Sequence, residues 1–166
     1  MYNGIRPNGQ KEVIMEQLIN ALKALLADTV ALKFKSHGYH WNVEGEYFSQ
    51  YHDFFGEIYE DMESAIDPFA ENIRKCGDYA PFRLTRFAEL TTVPETSVDS
   101  DPETMATDLL ASIEAVTLKI QEAFDIATSA REQGVANFLA DRQDMHRKWE
   151  WQLRASIKPE APEAGE

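Results

Sequence analysis

The chain is poor in the residues from which most catalytic and scaffold motifs are built. One cysteine, Cys76, among 166 residues excludes an internal disulfide framework and suits a reducing cytosol. Eight Gly and seven Pro leave no collagen-like or linker-dominated stretch. No run approaches the ~20 apolar residues of a membrane-spanning helix, and the amino terminus lacks the apolar segment of a secretory leader. CxxC, HExxH, a Gly-rich phosphate loop and a nucleophile elbow are all missing. Basic residues are scarce as well: 16 Lys plus Arg face 29 Asp plus Glu, a net charge of −13. Such a surface repels a phosphate backbone and attracts cations, so tight DNA binding is not expected. Plain solubility would give the same charge.

What the chain does contain is helical periodicity. Val13, Ile14, Leu18, Leu22, Leu25, Leu26, Val30 and either Leu32 or Phe34 recur at steps of three and four, predicting a first helix from about Lys11 to Trp41. Asn42 and Gly45 supply its stop. Phe48, Tyr51, Phe55, Ile58, Met62, Ile66, Phe69 and Ile73 predict a second helix, closed by Cys76-Gly77, with a kink where Pro68 removes a backbone donor. Residues 78–100 form a long connection in which Phe82–Leu90 predict a short amphipathic helix. A third helix opens either on a Ser100/Glu103 capping box or on Asp101 with Pro102 in first position, and runs to about Ser129. Gly134 predicts the break before a fourth helix that carries Val135, Phe138, Met145, Trp149, Leu153 and Ile157. The fold class is all-α: a four-helix bundle at 11–158 with a long crossover between helices 2 and 3. A loose segment at 1–10 and an acidic tail at 159–166 flank it.

Chemistry is left to histidine and carboxylate. None of His37, His40, His52 and His146 has a Glu three residues before it, so the Glu-x-x-His motifs of an intra-bundle di-iron site are absent. Glu60, Glu63, Asp67 and Glu71 share one flank of the second helix, either as a solvated face or as a cation-binding one. Asp67 and Glu71, one turn apart, can bite one metal, and His40 and His52 can supply nitrogen. His52 and Asp67, however, are fifteen residues apart on one rod, roughly 22 Å at 1.5 Å per residue. Metal–ligand bonds are ~2 Å long. If these four hold one ion, the imidazoles and the carboxylates belong to different subunits, and a two-fold interface makes two identical sites.

His40-Trp-Asn-Val-Glu-Gly45, His52 twelve residues after His40, and Asp67-Pro-Phe-Ala-Glu71 resemble the Dps family of mini-ferritins, the ferritin-like proteins named for protecting DNA during starvation. A weaker likeness continues to Trp151-Gln-Leu-Arg-Ala155. The resemblance implies a hollow homo-dodecamer that binds Fe²⁺ at two-fold interfaces through His40 and His52 of one chain and Asp67 and Glu71 of the next. It further implies oxidation of that iron with H₂O₂, more slowly with O₂, and storage of the ferric product in the cytoplasm. Glu60 and Glu63 become candidates for mineral nucleation and Trp41 for intercepting oxidising equivalents. Asp141 and Asp144 become candidates for an iron-entry pore. The pattern departs at Gly56, where an Asp ligand is usual, which predicts a singly occupied or asymmetric iron site. It also lacks the Lys-rich tail used for DNA. Two alternatives stand beside this reading: a shell whose oxidation is impaired by Gly56, and a mononuclear zinc hydrolase built on His37 and His40.

Overall fold

The computed structural model describes residues 7–97 and 100–158; the expectations for 1–6 and 159–166 lie outside the described residues. Five helices follow in order: α1 (Pro7–Asn42), α2 (Phe48–Lys75), α3 (Leu84–Leu90), α4 (Pro102–Ser129) and α5 (Gln133–Ser156). α1 packs on α2 and α4, and α5 packs on α4 and α2, which closes a four-helix bundle. Lys35 pairs with Asp108 at 2.6 Å and Lys119 with Asp28 at 2.9 Å, so α4 runs antiparallel to α1. The architecture is two antiparallel hairpins joined by the crossover that carries α3.

The apolar stripes become the core. Leu18, Leu22, Leu26 and Leu32 of α1 meet Phe55, Ile58, Met62 and Phe69 of α2, with Leu109, Ile113, Leu139 and Leu153 completing the layers. Each such side chain contributes about 1.5–3 kcal/mol. Of the two alternatives for α1, Leu32 is buried while Phe34 is 53% exposed. α1 begins at Pro7 rather than near Lys11. Asp101, not Ser100, caps α4: it accepts the Thr104 N–H at 2.8 Å, with Pro102 in the first turn. α2 runs through Pro68 as one helix, and Asn72 Nδ2 donates to the Pro68 carbonyl at 2.9 Å.

The break between α4 and α5 falls at Arg131, not at Gly134, which lies inside α5. Arg131 takes φ 61°, Glu132 N–H bonds to the Ala127 carbonyl at 2.9 Å, and Arg131 N–H bonds to Thr128 at 3.0 Å. This is a Schellman close with arginine in the left-handed position that glycine usually fills. Gly77 (φ 93°) performs the same turn after α2, as the sequence predicted.

Two buried polar clusters tie the elements together. Asp28, fully buried, accepts Thr91 Oγ1 at 2.9 Å, Thr92 N–H at 2.6 Å and Lys119 Nζ at 2.9 Å, which anchors the crossover to α1 and α4. Asp61 receives both terminal nitrogens of Arg142 (2.9 and 2.8 Å) and Trp149 Nε1 (2.8 Å). Burial alone would raise the Asp61 pKa, but the Arg142 guanidinium and the Trp149 N–H hold it below the usual carboxylate range. Beside it, Thr117 donates to buried Glu150 at 2.6 Å, and His146 lies fully buried. Desolvation and the Arg142 charge push His146 down to about 3, against the pull of Asp61. His146 is therefore a neutral core residue.

Candidate metal centre

The site begins with the corner between α1 and α2. Gly45 (φ 115°) turns the chain, and Glu44 N–H leaves the α1 ladder to bond Ser100 at 2.9 Å. That diversion strips the His40 carbonyl of its helical donor, one of the orphan acceptors at any helix end. His52 Nδ1 fills the gap, donating to the His40 carbonyl at 2.7 Å. In return, His40 Nδ1 donates to the His52 carbonyl at 2.6 Å. The two rings stack with centroids 3.7 Å apart, and Phe48 lies against His52 at 5.0 Å.

The reciprocal clasp has a chemical consequence. A carbonyl only accepts, so both imidazoles must carry their proton on Nδ1. That leaves Nε2 of each ring as the nitrogen that can bind a metal, which histidine does in its neutral form. Two imidazoles with Nδ1 committed to backbone carbonyls, half-buried at a helix corner, are a prepared pair of nitrogen donors.

The remaining sequence candidates do not join them within the chain. Asp67 and Glu71 sit one turn apart on the exposed side of α2, and Glu60 and Glu63 are exposed on the same helix. Glu63 has Lys33 Nζ at 3.9 Å. Among the described residues, no three of His, Cys, Asp and Glu come close enough to hold an ion. His37 and His40, with centroids 6.0 Å apart, thus have no third donor for a zinc site within one chain. Trp41 is 60% exposed and lies tilted against His37, with ring centroids 4.1 Å apart. Asp141 and Asp144 are exposed on α5.

Sequence reasoning passed over Tyr59, which stacks on His37 at 3.9 Å and meets His40 edge-on at 5.4 Å. The pattern offers a hint only in retrospect, since Tyr59 lies seven residues after His52 and so on the same face of α2. Gly56, read from the sequence as a lost ligand, is buried beneath the His40 ring.

Comparison with known proteins defines the class. The family model of the ferritin-like domain matches residues 19–159. An uncharacterised low temperature-induced protein of Nostoc sp. is 32% identical over 143 residues, covering 85% of this chain and 80% of its own. The chain belongs to the ferritin-like family. Within that class it is a Dps-family protein. DNA protection during starvation protein 2 of Bacillus anthracis is 26% identical over 142 residues, 86% of this chain and 97% of its own. The crystal structure of the Dps protein of Vibrio cholerae O1, described as a ferritin-like diiron-carboxylate protein, superposes with TM-score 0.84 at 25% identity, covering 88% and 92% of the two chains. The fold and the family expected from the His40–Gly45 and Asp67–Glu71 motifs are thereby confirmed.

Proposed function

We propose that this chain is the subunit of a Dps-type mini-ferritin that binds Fe²⁺ between subunits, oxidises it and stores the ferric product in a hollow homo-dodecamer. The observation that carries the reading is the reciprocal clasp: His40 and His52 each commit Nδ1 to a backbone carbonyl and leave Nε2 for a metal, while Asp67 and Glu71 lie fifteen and nineteen residues beyond His52 along the same rod. A second copy brings its acidic pair to these imidazoles and receives the same in exchange.

His40 and His52 then hold Fe²⁺ through Nε2, and the neighbouring chain's Asp67 and Glu71 close the site with oxygen donors. Oxygen ligands favour the harder Fe³⁺, so the carboxylates pull the reaction forward. Peroxide accepts two electrons, one from each of two Fe²⁺ ions, with O₂ as the slower oxidant. Trp41, exposed beside His37, is the candidate for intercepting stray oxidising equivalents. Glu60 and Glu63 offer carboxylates for nucleating mineral, and Asp141 and Asp144 a route for cations towards the interior. The charge of −13 steers cations to the shell and argues against tight DNA binding. Phe34 (53% exposed) and Trp41 (60% exposed), two turns apart on α1, give the two-fold contact an apolar stripe beside the imidazoles.

Stopped-flow absorbance of Fe³⁺ after mixing the protein with Fe²⁺ and H₂O₂ tests the activity, alongside the mass from light scattering. The expected result is a dodecamer whose oxidation slows by at least about tenfold in His52→Ala. A monomer, or equal rates for the two proteins, refutes it.

A further inference from the structure

The two imidazoles of the proposed iron site belong to a longer run of rings. His52 stacks on His40 at 3.7 Å, and Tyr59 meets His40 edge-on at 5.4 Å. Tyr59 in turn stacks on His37 at 3.9 Å with the rings 18° apart, and His37 reaches Trp41 at 4.1 Å. Helical spacing builds the run: His40 and Trp41 lie three and four residues after His37 on α1, so one face of the helix carries all three. Neighbouring rings hold His37 in place, for its Nδ1 is buried without a hydrogen-bond partner. A buried polar atom left unpaired asks for a reason. What the ring gains here is contact with two oxidisable side chains, a tyrosine and a tryptophan.

Tyr59 also differs from the tyrosines nearby. Tyr39 and Tyr51 are buried against Phe55, with hydroxyls bonded to Asp108 and to the Ser156 carbonyl. Among the described residues, Tyr59 is the tyrosine whose ring meets an imidazole of the clasp. Phe48, against His52, has no phenol to oxidise.

Reducing H₂O₂ to two waters takes two electrons and two protons, and a site holding a single Fe²⁺ supplies one electron. We propose that Tyr59 supplies the other, and that Trp41 restores Tyr59 through His37. This rests on the proposed iron site and deepens it. The O–O bond of peroxide breaks, Fe²⁺ becomes Fe³⁺, and the Tyr59 phenol loses one electron and its proton to become a neutral tyrosyl radical. That proton and one from solvent complete the two waters. Exposed Trp41 then passes an electron through His37 and releases its indole proton to solvent, while Tyr59 takes a proton back. The remaining oxidising equivalent ends at the surface instead of as hydroxyl radical beside the iron.

Freeze-quench electron paramagnetic resonance tests this on the full-length assembly, loaded anaerobically with one Fe²⁺ per chain and mixed with H₂O₂. If His52→Ala oxidises iron as fast as the wild type, the iron site itself fails. With the site established, the wild type shows an organic radical whose pattern narrows when its tyrosines are ring-deuterated, and it consumes one H₂O₂ for each Fe²⁺. Tyr59→Phe keeps the ring and loses the phenol. In an intact shell its tyrosyl signal disappears and its peroxide consumption halves, because a second Fe²⁺ must give the missing electron. Trp41→Phe prolongs the tyrosyl signal, since the radical has lost its reductant. A wild type that oxidises its single Fe²⁺ without a tyrosyl signal, a signal that survives in Tyr59→Phe, or a lifetime unchanged by Trp41→Phe overturns the proposal and leaves the iron site standing.

Discussion

The acid response of the bundle is set by His146. In the folded chain its pKa is near 3, because the ring is fully buried beside the Arg142 guanidinium; unfolded, it returns to about 6.5. The unfolded state therefore binds the extra proton first. Stability is whole above pH 6.5 and falls as the pH drops towards 3, where the folded state titrates too. Between pH 6 and pH 4 the integrated loss is about 2.5 kcal/mol per chain. Asp61 acts in a different window: its folded pKa is depressed, so its contribution persists until the pH falls below the ordinary carboxylate range. Urea unfolding at fixed protein concentration, followed by far-UV circular dichroism at pH 6, 5 and 4, measures the slope. His146→Gln, which cannot titrate, lowers stability at pH 6 but flattens the pH dependence by about that 2.5 kcal/mol. Parallel slopes for the two proteins would mean that His146 is protonated in the fold, contrary to its placement.

Two further outcomes follow from the backbone and the crossover. Arg131→Gly places glycine at φ 61° and raises stability by about 0.5–1 kcal/mol, read as a higher thermal midpoint; a lower midpoint contradicts the Schellman assignment. Asp28→Ala leaves Thr91, Thr92 and Lys119 without their shared acceptor and costs about 3 kcal/mol. Hydrogen exchange of the Thr92 amide then accelerates sharply, and unchanged protection would show that the crossover does not depend on Asp28.

Much of this molecule was legible in its sequence because helical periodicity is a local signal. The α2 stripe from Tyr51 to Ile73 came out buried almost without exception, and Gly77 closed the helix as its chemistry demands. Local signals failed where tertiary context chose between equals. Gly134 was the better breaker on propensity, yet packing placed the turn at Arg131. Phe34 and Leu32 were indistinguishable by spacing, and only the packing of the other helices on α1 buries Leu32 and leaves Phe34 half exposed. The metal site was half legible. The fifteen residues between His52 and Asp67 are arithmetic, whereas the acceptors of the two imidazoles are backbone carbonyls that no side-chain motif records. The contact of Gly56 with the His40 ring is equally silent in the sequence.

The central claim is that nitrogen and oxygen donors come from different copies, and complementation measures this most directly. One chain carries His40→Ala and His52→Ala, the other Asp67→Ala and Glu71→Ala; each assembles into an inactive shell. Co-expression at equal levels makes about half of the two-fold interfaces mixed, and every mixed interface contains one intact site opposite one doubly broken site. Iron oxidation by peroxide then returns to about a quarter of the wild-type rate. A mixed shell as inactive as its parents would place all four residues in one chain's site and contradict the account.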